Sequence, residues 1–127
     1  MARLIDDVAA YLQAQSVGTV GTDIFKGTLP DSPDNCVAVY ETGGPAPQKY
    51  LPINKPTFQI LVRNKSYALG RDKLEAVRTA LHRKSNLSLV SGQTFAYYIL
   101  ANSEGGHIGR DEAGRDEFSI NFVAETR

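Results

Sequence analysis

The chain is poor in the residues that most often carry covalent and metal chemistry. It has one cysteine, two histidines and no tryptophan among its 127 residues. A single thiol cannot form an internal disulfide, and it gives a structural zinc site too few ligands. Because Cys36 begins an apolar run, we expect it to be a small buried side chain.

A surplus of charge of one sign is also missing. Fourteen basic residues balance fourteen acidic ones, and the formal net charge is 0 at pH 7. Proteins that bind duplex DNA usually carry a basic surplus, because contacts with phosphates supply most of their non-specific affinity. The charge balance therefore disfavours tight, non-specific binding to nucleic acid.

Long hydrophobic runs are lacking as well. No stretch of the sequence approaches the roughly 18 apolar residues of a membrane helix. Asp6 and Asp7 interrupt the region where a secretory signal needs continuous apolar residues. We therefore expect a protein that is made in a cytoplasm and has no membrane partner. Its length and its 42% hydrophobic content predict one globular domain over residues 1–127.

Two segments have the periodicity of amphipathic helices. The first apolar stripe consists of Leu4, Ile5, Val8 and Leu12. Asp6 and Asp7 lie in its first turn, where they suit the positive end of the helix dipole, and we expect both to be solvated. A second helix is predicted from an N-cap at Ser66 to about Lys84.

Strand patterns occupy most of the remaining chain. A short extended piece is predicted at 23–26, and longer strands at 36–41, 57–63, 94–101 and 118–123. The proline-rich residues between 45 and 56 predict a long connection, and the polar residues 102–117 predict a loop. This order predicts an α+β fold, with a mostly antiparallel sheet of about 4–5 strands and two helices packed on one face.

The strand at 94–101 is apolar on both sides. Alternation places Phe95, Tyr97 and Ile99 on one face and Ala96, Tyr98 and Leu100 on the other. Two helices can cover only one face of the sheet, so the other face needs a neighbouring chain or a folded-back loop. Tyr98 and Leu100 are our candidates for a subunit interface. Tyr50, in the proline-rich connection, could anchor an arm on a neighbour or pack under its own loop.

A search for catalytic constellations finds little. His82 lies at a helix end, where a capping or solvated role is expected, and His107 lies in a glycine-rich loop. A metal site built from His107, Asp111 and Glu112 is conceivable, but it would have little rigid support. A metal-dependent nuclease pattern fails because Gly43 stands where a lysine is needed. We therefore expect no enzymatic activity and no cofactor.

Several segments together are similar to one known family. They are DIFKGTLP at 23–30, PDNCVAVYETGG at 33–44, PTFQILVRN at 56–64 and FSINFV at 118–123. In these segments and in the helix that follows Ser66, the chain resembles the tail terminators of siphophages, which are often labelled minor capsid proteins. The likeness covers most of the chain and consists mainly of strand and turn signals.

The resemblance implies a structural protein of the virion, located at the head-proximal end of the tail. It implies a homo-oligomeric ring, a hexamer, that caps the tail tube, stops its polymerisation and offers a surface to the head–tail connector or stopper. The implied partners are other copies of the chain, the tail tube protein and the connector. DNA would pass through the ring without sequence-specific binding, and the family brings no catalytic or cofactor residues.

Other functions stay open at this point. A different head–tail connector or tail-completion subunit would share the fold. A small metal-dependent enzyme would require a pocket around His107, and a peptide-binding module would use an exposed sheet edge and remain a monomer.

The polar segment 102–117 is a candidate for a channel-lining or docking loop. It contains two arginines and five acids, and its formal net charge is −3. The acids are Glu104, Asp111, Glu112, Asp116 and Glu117. Negative charge around a channel would repel phosphates and keep DNA from adhering to the wall.

Overall fold

The computed structural model describes residues 4–46, 53–88 and 95–126. Both expected helices are present, α1 at Leu4–Ala14 and α2 at Tyr67–Leu81. Ser66 is the N-cap of α2, as expected, and its side chain accepts a hydrogen bond from the Leu69 N–H at 3.4 Å. The helix ends earlier than expected, because Arg83 adopts a left-handed backbone with φ of 62° that turns the chain into a strand. Neither helix is long and apolar enough to cross a membrane, and this holds for the whole described part of the chain.

The sheet is larger than expected. Its strands are β1 at Ile24–Lys26, β2 at Cys36–Gly43, β3 at Thr57–Asn64, β4 at Lys84–Ser88, β5 at Phe95–Ala101, β6 at Gly106–Arg110 and β7 at Asp116–Thr126. Their order is β1-β2-β3-β7-β5-β4, and β6 pairs with the first half of β7, beside β5. Within the described residues, seven strands thus replace the expected four to five.

The expected α+β class is confirmed. The sheet is mixed, however, whereas a mostly antiparallel sheet was expected. The short β1 pairs parallel with β2, whereas the other pairings are antiparallel. The strands β4 and β6 were missed because they are polar, and within the described residues each pairs with a single strand, β4 with β5 and β6 with β7. An edge strand needs no alternating apolar pattern when backbone hydrogen bonds hold it.

The core lies between the helices and one face of the sheet. Strand register places Val62, Phe118, Ile60 and Ile120 on the same face, and all four are buried. Residues of both helices belong to the same core cluster, so both helices cover this face, as expected. In this layer the rings of Phe58 and Phe122 stack with their centroids 5.2 Å apart. In the part of the chain that the structure describes, the opposite face of the sheet therefore carries no helix.

The sequence predicts burial for Cys36 at the start of β2 and exposure to solvent for Asp6 and Asp7 in the first turn of α1. Cys36 is buried, as expected, and burial raises the pKa of its thiol. The expectation for the first-turn acids is wrong for Asp7, which is fully buried in α1. Asp6 forms an ion pair with Lys26 of β1 at 3.0 Å, so it contacts the sheet rather than only solvent.

A bulge in β5 changes which side chains share a face. Ala96 pairs with Thr126, but Tyr98 pairs with Glu125, so Tyr97 is the extra residue. Ala96 therefore lies on the core side and is fully buried, and its expected grouping with Tyr98 and Leu100 is wrong. After the bulge the alternation resumes, and Tyr98 and Leu100 both lie on the face away from the helices.

Candidate functional site

The sheet face away from the helices, which we call the open face, carries an exposed apolar area. Leu100 of β5 pairs with Val123 of β7, which in turn pairs with β3. Leu100 is 39% exposed, and Val123 and Leu61 are partly exposed. Tyr98 lies on the same face and is also partly exposed. The structure therefore brings the two expected interface residues, Tyr98 and Leu100, together on one surface.

Tyr98 has an acidic neighbour on this face. Glu125 is the residue opposite it on β7. Burial raises the pKa of the Tyr98 phenol, and the nearby Glu125 carboxylate raises it further. Lys55 lies 4.0 Å from the same carboxylate. The aromatic ring of Tyr98 thus lies opposite a carboxylate that has a lysine near it.

One end of the open face is covered by the loop between β1 and β2. Arg63 of β3 is buried and acts as the anchor. Its Nη2 donates to the carbonyls of Pro30 and of Pro33, the latter at 2.7 Å, and its Nε donates to the Asp34 carbonyl at 3.2 Å. Coverage by this loop explains why Cys36, next to Arg63 in register, is buried.

The segment expected to be a polar loop is a β-hairpin formed by β6 and β7. At its tip, the buried Arg115 donates from Nε to Asp111 at 2.7 Å and from Nη1 to Asp34 at 3.3 Å. Asp111 also accepts the backbone N–H groups of Arg115 and Ala113 at 2.9 and 3.0 Å. The hydrogen bond from the backbone N–H of Arg115 lowers the pKa of Asp111, and the Arg115 side chain lowers it further. These contacts attach the hairpin tip to the β1–β2 loop.

The five acids of this segment have different surroundings. Asp111 faces Arg115, and Glu104 lies 3.3 Å from Arg78 of α2. Asp116 is buried, with its Oδ1 3.3 Å from Arg110. Glu112 is exposed at the hairpin turn, whereas Glu117 is partly buried on the open face. Three of the five acids thus lie beside an arginine, which weakens the field that their formal charge suggested.

The histidines are placed away from one another. His107 Nε2 lies 2.9 Å from Asp116, and its ring packs between Tyr67 and Phe118 at centroid distances of 5.2 Å. His82 Nδ1 accepts a hydrogen bond from the Ala101 N–H at 2.9 Å, which ties the end of α2 to β5.

The structure does not bring together His107, Asp111 and Glu112, the three residues considered for a metal site. Asp111 turns toward Arg115, and His107 turns toward Asp116. In the described ranges, no three residues among the histidines, cysteines and acids could hold one ion. Tyr50 lies outside the described residues.

Sequence reasoning missed a second surface, on the helix side of the molecule. Leu69, Asp72, Ala76 and Thr79 are exposed at helical spacing and form the outer face of α2. Beside it, a cavity of about 450 Å³ is lined in part by Leu69, Ala76 and Val17. The buried side of α2 consists of Gly70, Leu74, Val77, Ala80 and Leu81. Leu69 is an apolar residue outside this set, which is a signal in the sequence for an exposed apolar surface, and its side chain is 59% exposed.

A family model described as "Bacteriophage tail terminator protein" matches residues 11–126. The chain belongs to this tail terminator family. The expected resemblance is thereby confirmed over most of the chain, including every strand.

A solved structure agrees with the family assignment at the level of the fold. This tail terminator family member is similar to a chain from the "Virion of native gene transfer agent (GTA) particle", with a TM-score of 0.68. The two share 18% sequence identity over 98% of each chain. A comparison with curated proteins gives no match. Family membership supports a structural role in tail completion and a location in the virion.

Proposed function

We propose that the chain forms a ring of six copies that caps the tail tube, stops its polymerisation and presents a surface to the head connector. The observation that carries this proposal is the tail terminator match over residues 11–126. The similarity to a virion chain along its full length is consistent with it. The number of copies, and the position at the head-proximal end of the tail, follow from the family resemblance.

Self-assembly is supported by the open face. A ring needs a heterologous interface, in which one patch of each subunit meets a different patch on its neighbour. Tyr98 and Leu100 offer a partly exposed tyrosine opposite Glu125 and an exposed leucine on the same face. Tyrosine is enriched at protein interfaces, because its ring supplies a large contact area with a polar end. We propose these two residues as contacts between subunits.

The hairpin at β6–β7 supports a role at the channel or at a docking surface. Its tip is held to the β1–β2 loop by Arg115, so its position is fixed before any partner binds. Of the five acids in the segment 102–117, Glu104 and Glu112 are exposed, and Glu104 lies 3.3 Å from Arg78. We propose that Glu112 repels DNA at the channel. The overall charge of 0 suits a channel through which DNA passes without being held.

A non-enzymatic role is consistent with the family, which is one of structural phage proteins. His107, the residue on which an enzymatic alternative depended, makes its contacts with Asp116 and with two aromatic rings. An imidazole packed in this way stabilises the junction of α2 and the hairpin. His107→Ala is therefore expected to leave ring formation intact.

Electron microscopy of negatively stained samples tests the proposal. Purified protein is imaged alone, with tail tubes assembled from the tail tube protein, and with the head connector. The proposal predicts one ring-shaped cap on an end of the tube. Binding to the connector but never to tubes would instead favour a different joining position, and no binding to either would contradict a tail-completion role.

A further inference from the structure

We infer that the β1–β2 loop, residues 27–35, opens as a unit while the rest of the chain stays folded, and that Arg115 is the residue that holds it closed. Opening extends the open face by the part of β2 that begins at Cys36. The inference goes beyond the proposed ring and does not depend on it, because it concerns a movement within the single chain.

The β1–β2 loop contributes no buried side chain to the core. Its nine residues join β1 to β2. Leu29, Pro30 and Asp34 are partly exposed, and the other six are exposed. Burial of apolar surface is the main force that keeps a segment in place, and segments with few buried apolar contacts open at low cost. The loop can therefore detach without disturbing the packed layer between the helices and the sheet.

Two buried arginines from other parts of the chain hold the loop in place. Arg63 belongs to β3, and Arg115 lies at the tip of the β6–β7 hairpin. The loop carbonyls that accept hydrogen bonds from these two side chains are those of Pro30, Asp31, Pro33 and Asp34. Bonds of this kind can be exchanged for bonds to water when the loop moves away. The closed position thus depends on polar contacts.

Arg115 joins the loop to the hairpin tip. Its Nη1 donates to the Asp31 carbonyl and lies 3.3 Å from the Asp34 carboxylate, while its Nε donates to Asp111 at 2.7 Å. Between the two segments lies a cleft of about 390 Å³, and most of the side chains that line it are charged. Apolar packing therefore does not fill this contact, and one guanidinium spans it.

The residues at the start of β2 are the ones that opening uncovers. Cys36 follows the loop directly and is 4% exposed. Ala38 lies on the same face and is fully buried, although Leu61, its partner in register, is partly exposed. Burial raises the pKa of the Cys36 thiol, the charges of Arg63 and Arg115 lower it, and that of Asp34 raises it. The thiol thus lies near the contact between loop and hairpin.

Alkylation of Cys36 by iodoacetamide over a range of urea concentrations tests the inference, with mass spectrometry as the readout. The chain has one cysteine, so the signal is unambiguous. A local opening exposes little surface, and the rate should stay nearly constant well below the urea midpoint of unfolding. Labelling through global unfolding would instead accelerate steeply with urea at every concentration.

Arg115→Met should raise the labelling rate in the constant range at least tenfold. Loss of the positive charge raises the pKa of the thiol and by itself slows alkylation, so a faster reaction reports opening. Asp111→Asn should raise the rate at least threefold, because Arg115 loses the carboxylate that orients it. This second variant decides the test if Arg115→Met does not fold. Arg71→Met removes an exposed pair with Glu75 and is the matched control, with an unchanged rate.

Two results would overturn the inference. A wild-type rate that follows global unfolding from the lowest urea concentration means that the loop does not open by itself. Equal rates in the wild type, Arg115→Met and Asp111→Asn mean that the reagent reaches the thiol by another route, such as the cavity of about 450 Å³ that Cys36 also borders. Because the purified chain is used without tubes or connector, neither result bears on the proposed ring.

Discussion

Gly70 of α2 lies against the ring of Phe118 in β7, at a point where a β-carbon would collide with the ring carbon Cε1. The ring cannot easily move away, because it is fully buried and packs against Tyr67 and His107. Asn64 lies on the same side, only 3.1 Å from where that β-carbon would be. This contact fixes how closely the second helix approaches the sheet.

Gly70→Ala should therefore destabilise the protein. In an exposed helix the change would add about 1 kcal/mol of stability, because alanine favours helix. Here overpacking costs about 1–3 kcal/mol and outweighs that gain. We expect a Tm lower by on the order of 5 °C, measured by circular dichroism. Thr79→Ala on the exposed outer face of α2 is the control and should not lower the Tm; an unchanged Tm for Gly70→Ala would mean that helix and sheet can separate freely.

The Asp111–Arg115 contact predicts a loss of stability in acid. The folded state lowers the pKa of Asp111, so the carboxylate contributes stability above the usual pKa of about 4. That contribution disappears as the pH falls through the folded pKa, because the folded state must then bind a proton that it disfavours. Urea unfolding between pH 5 and about pH 3 measures the effect.

The control for this pH dependence is Asp111→Asn. It removes the titrating group, so the variant should be less stable than the wild type at pH 6 and should lose less stability on acidification. If the free energy of unfolding falls equally with pH in the two proteins, Asp111 does not contribute to the loss of stability in acid.

Arg63 is expected to stabilise the loop that covers one end of the open face. Its guanidinium donates to three carbonyls of that loop, which leaves them unsatisfied when it is removed. Arg63→Met should cost about 2–4 kcal/mol and increase amide hydrogen exchange in residues 27–35. Arg71→Met, which removes an exposed pair with Glu75, should cost less than about 0.5 kcal/mol. Equal exchange in the loop of both variants would contradict the role of Arg63.

Tyr98 is expected to be required for the assembly of subunits. Tyr98→Asp places a charge in the apolar part of the open face, next to Glu125. Light scattering should show monomers where the wild type forms oligomers, with the folded state retained because the side chain is partly exposed. Tyr98→Phe keeps the ring and should keep the oligomer. An unchanged oligomer for Tyr98→Asp would remove Tyr98 from the interface.

Elements with a strong apolar period were predictable from the sequence. Both helices and the strands around Val37, Ile60 and Ile120 lie in the core, and burial on one face requires the pattern that identified them. The two polar strands β4 and β6 were not predictable in this way, because backbone pairing at the side of the sheet holds them. The parallel β1 depends on a pairing with β2 that its three residues do not encode.

The site was only partly predictable, for a related reason. Tyr98 and Leu100 followed from apolar residues on both sides of one strand, but the bulge that moves Ala96 into the core depends on the partner strand. The five acids of the segment 102–117 can be counted in the sequence, but the pairing of three of them with Arg78, Arg110 and Arg115 depends on the fold. Local composition indicates which groups are available, and tertiary contacts decide which of them stay unpaired.

Growth of tail tubes in the presence of this protein tests the central claim most directly. Preformed tubes are incubated with the purified chain, fresh tail tube protein is added, and tube lengths are measured by electron microscopy. The account predicts rings at tube ends and no elongation of the capped ends, whereas uncapped tubes continue to grow. Continued growth at the same rate, with no ring on any tube, would contradict it.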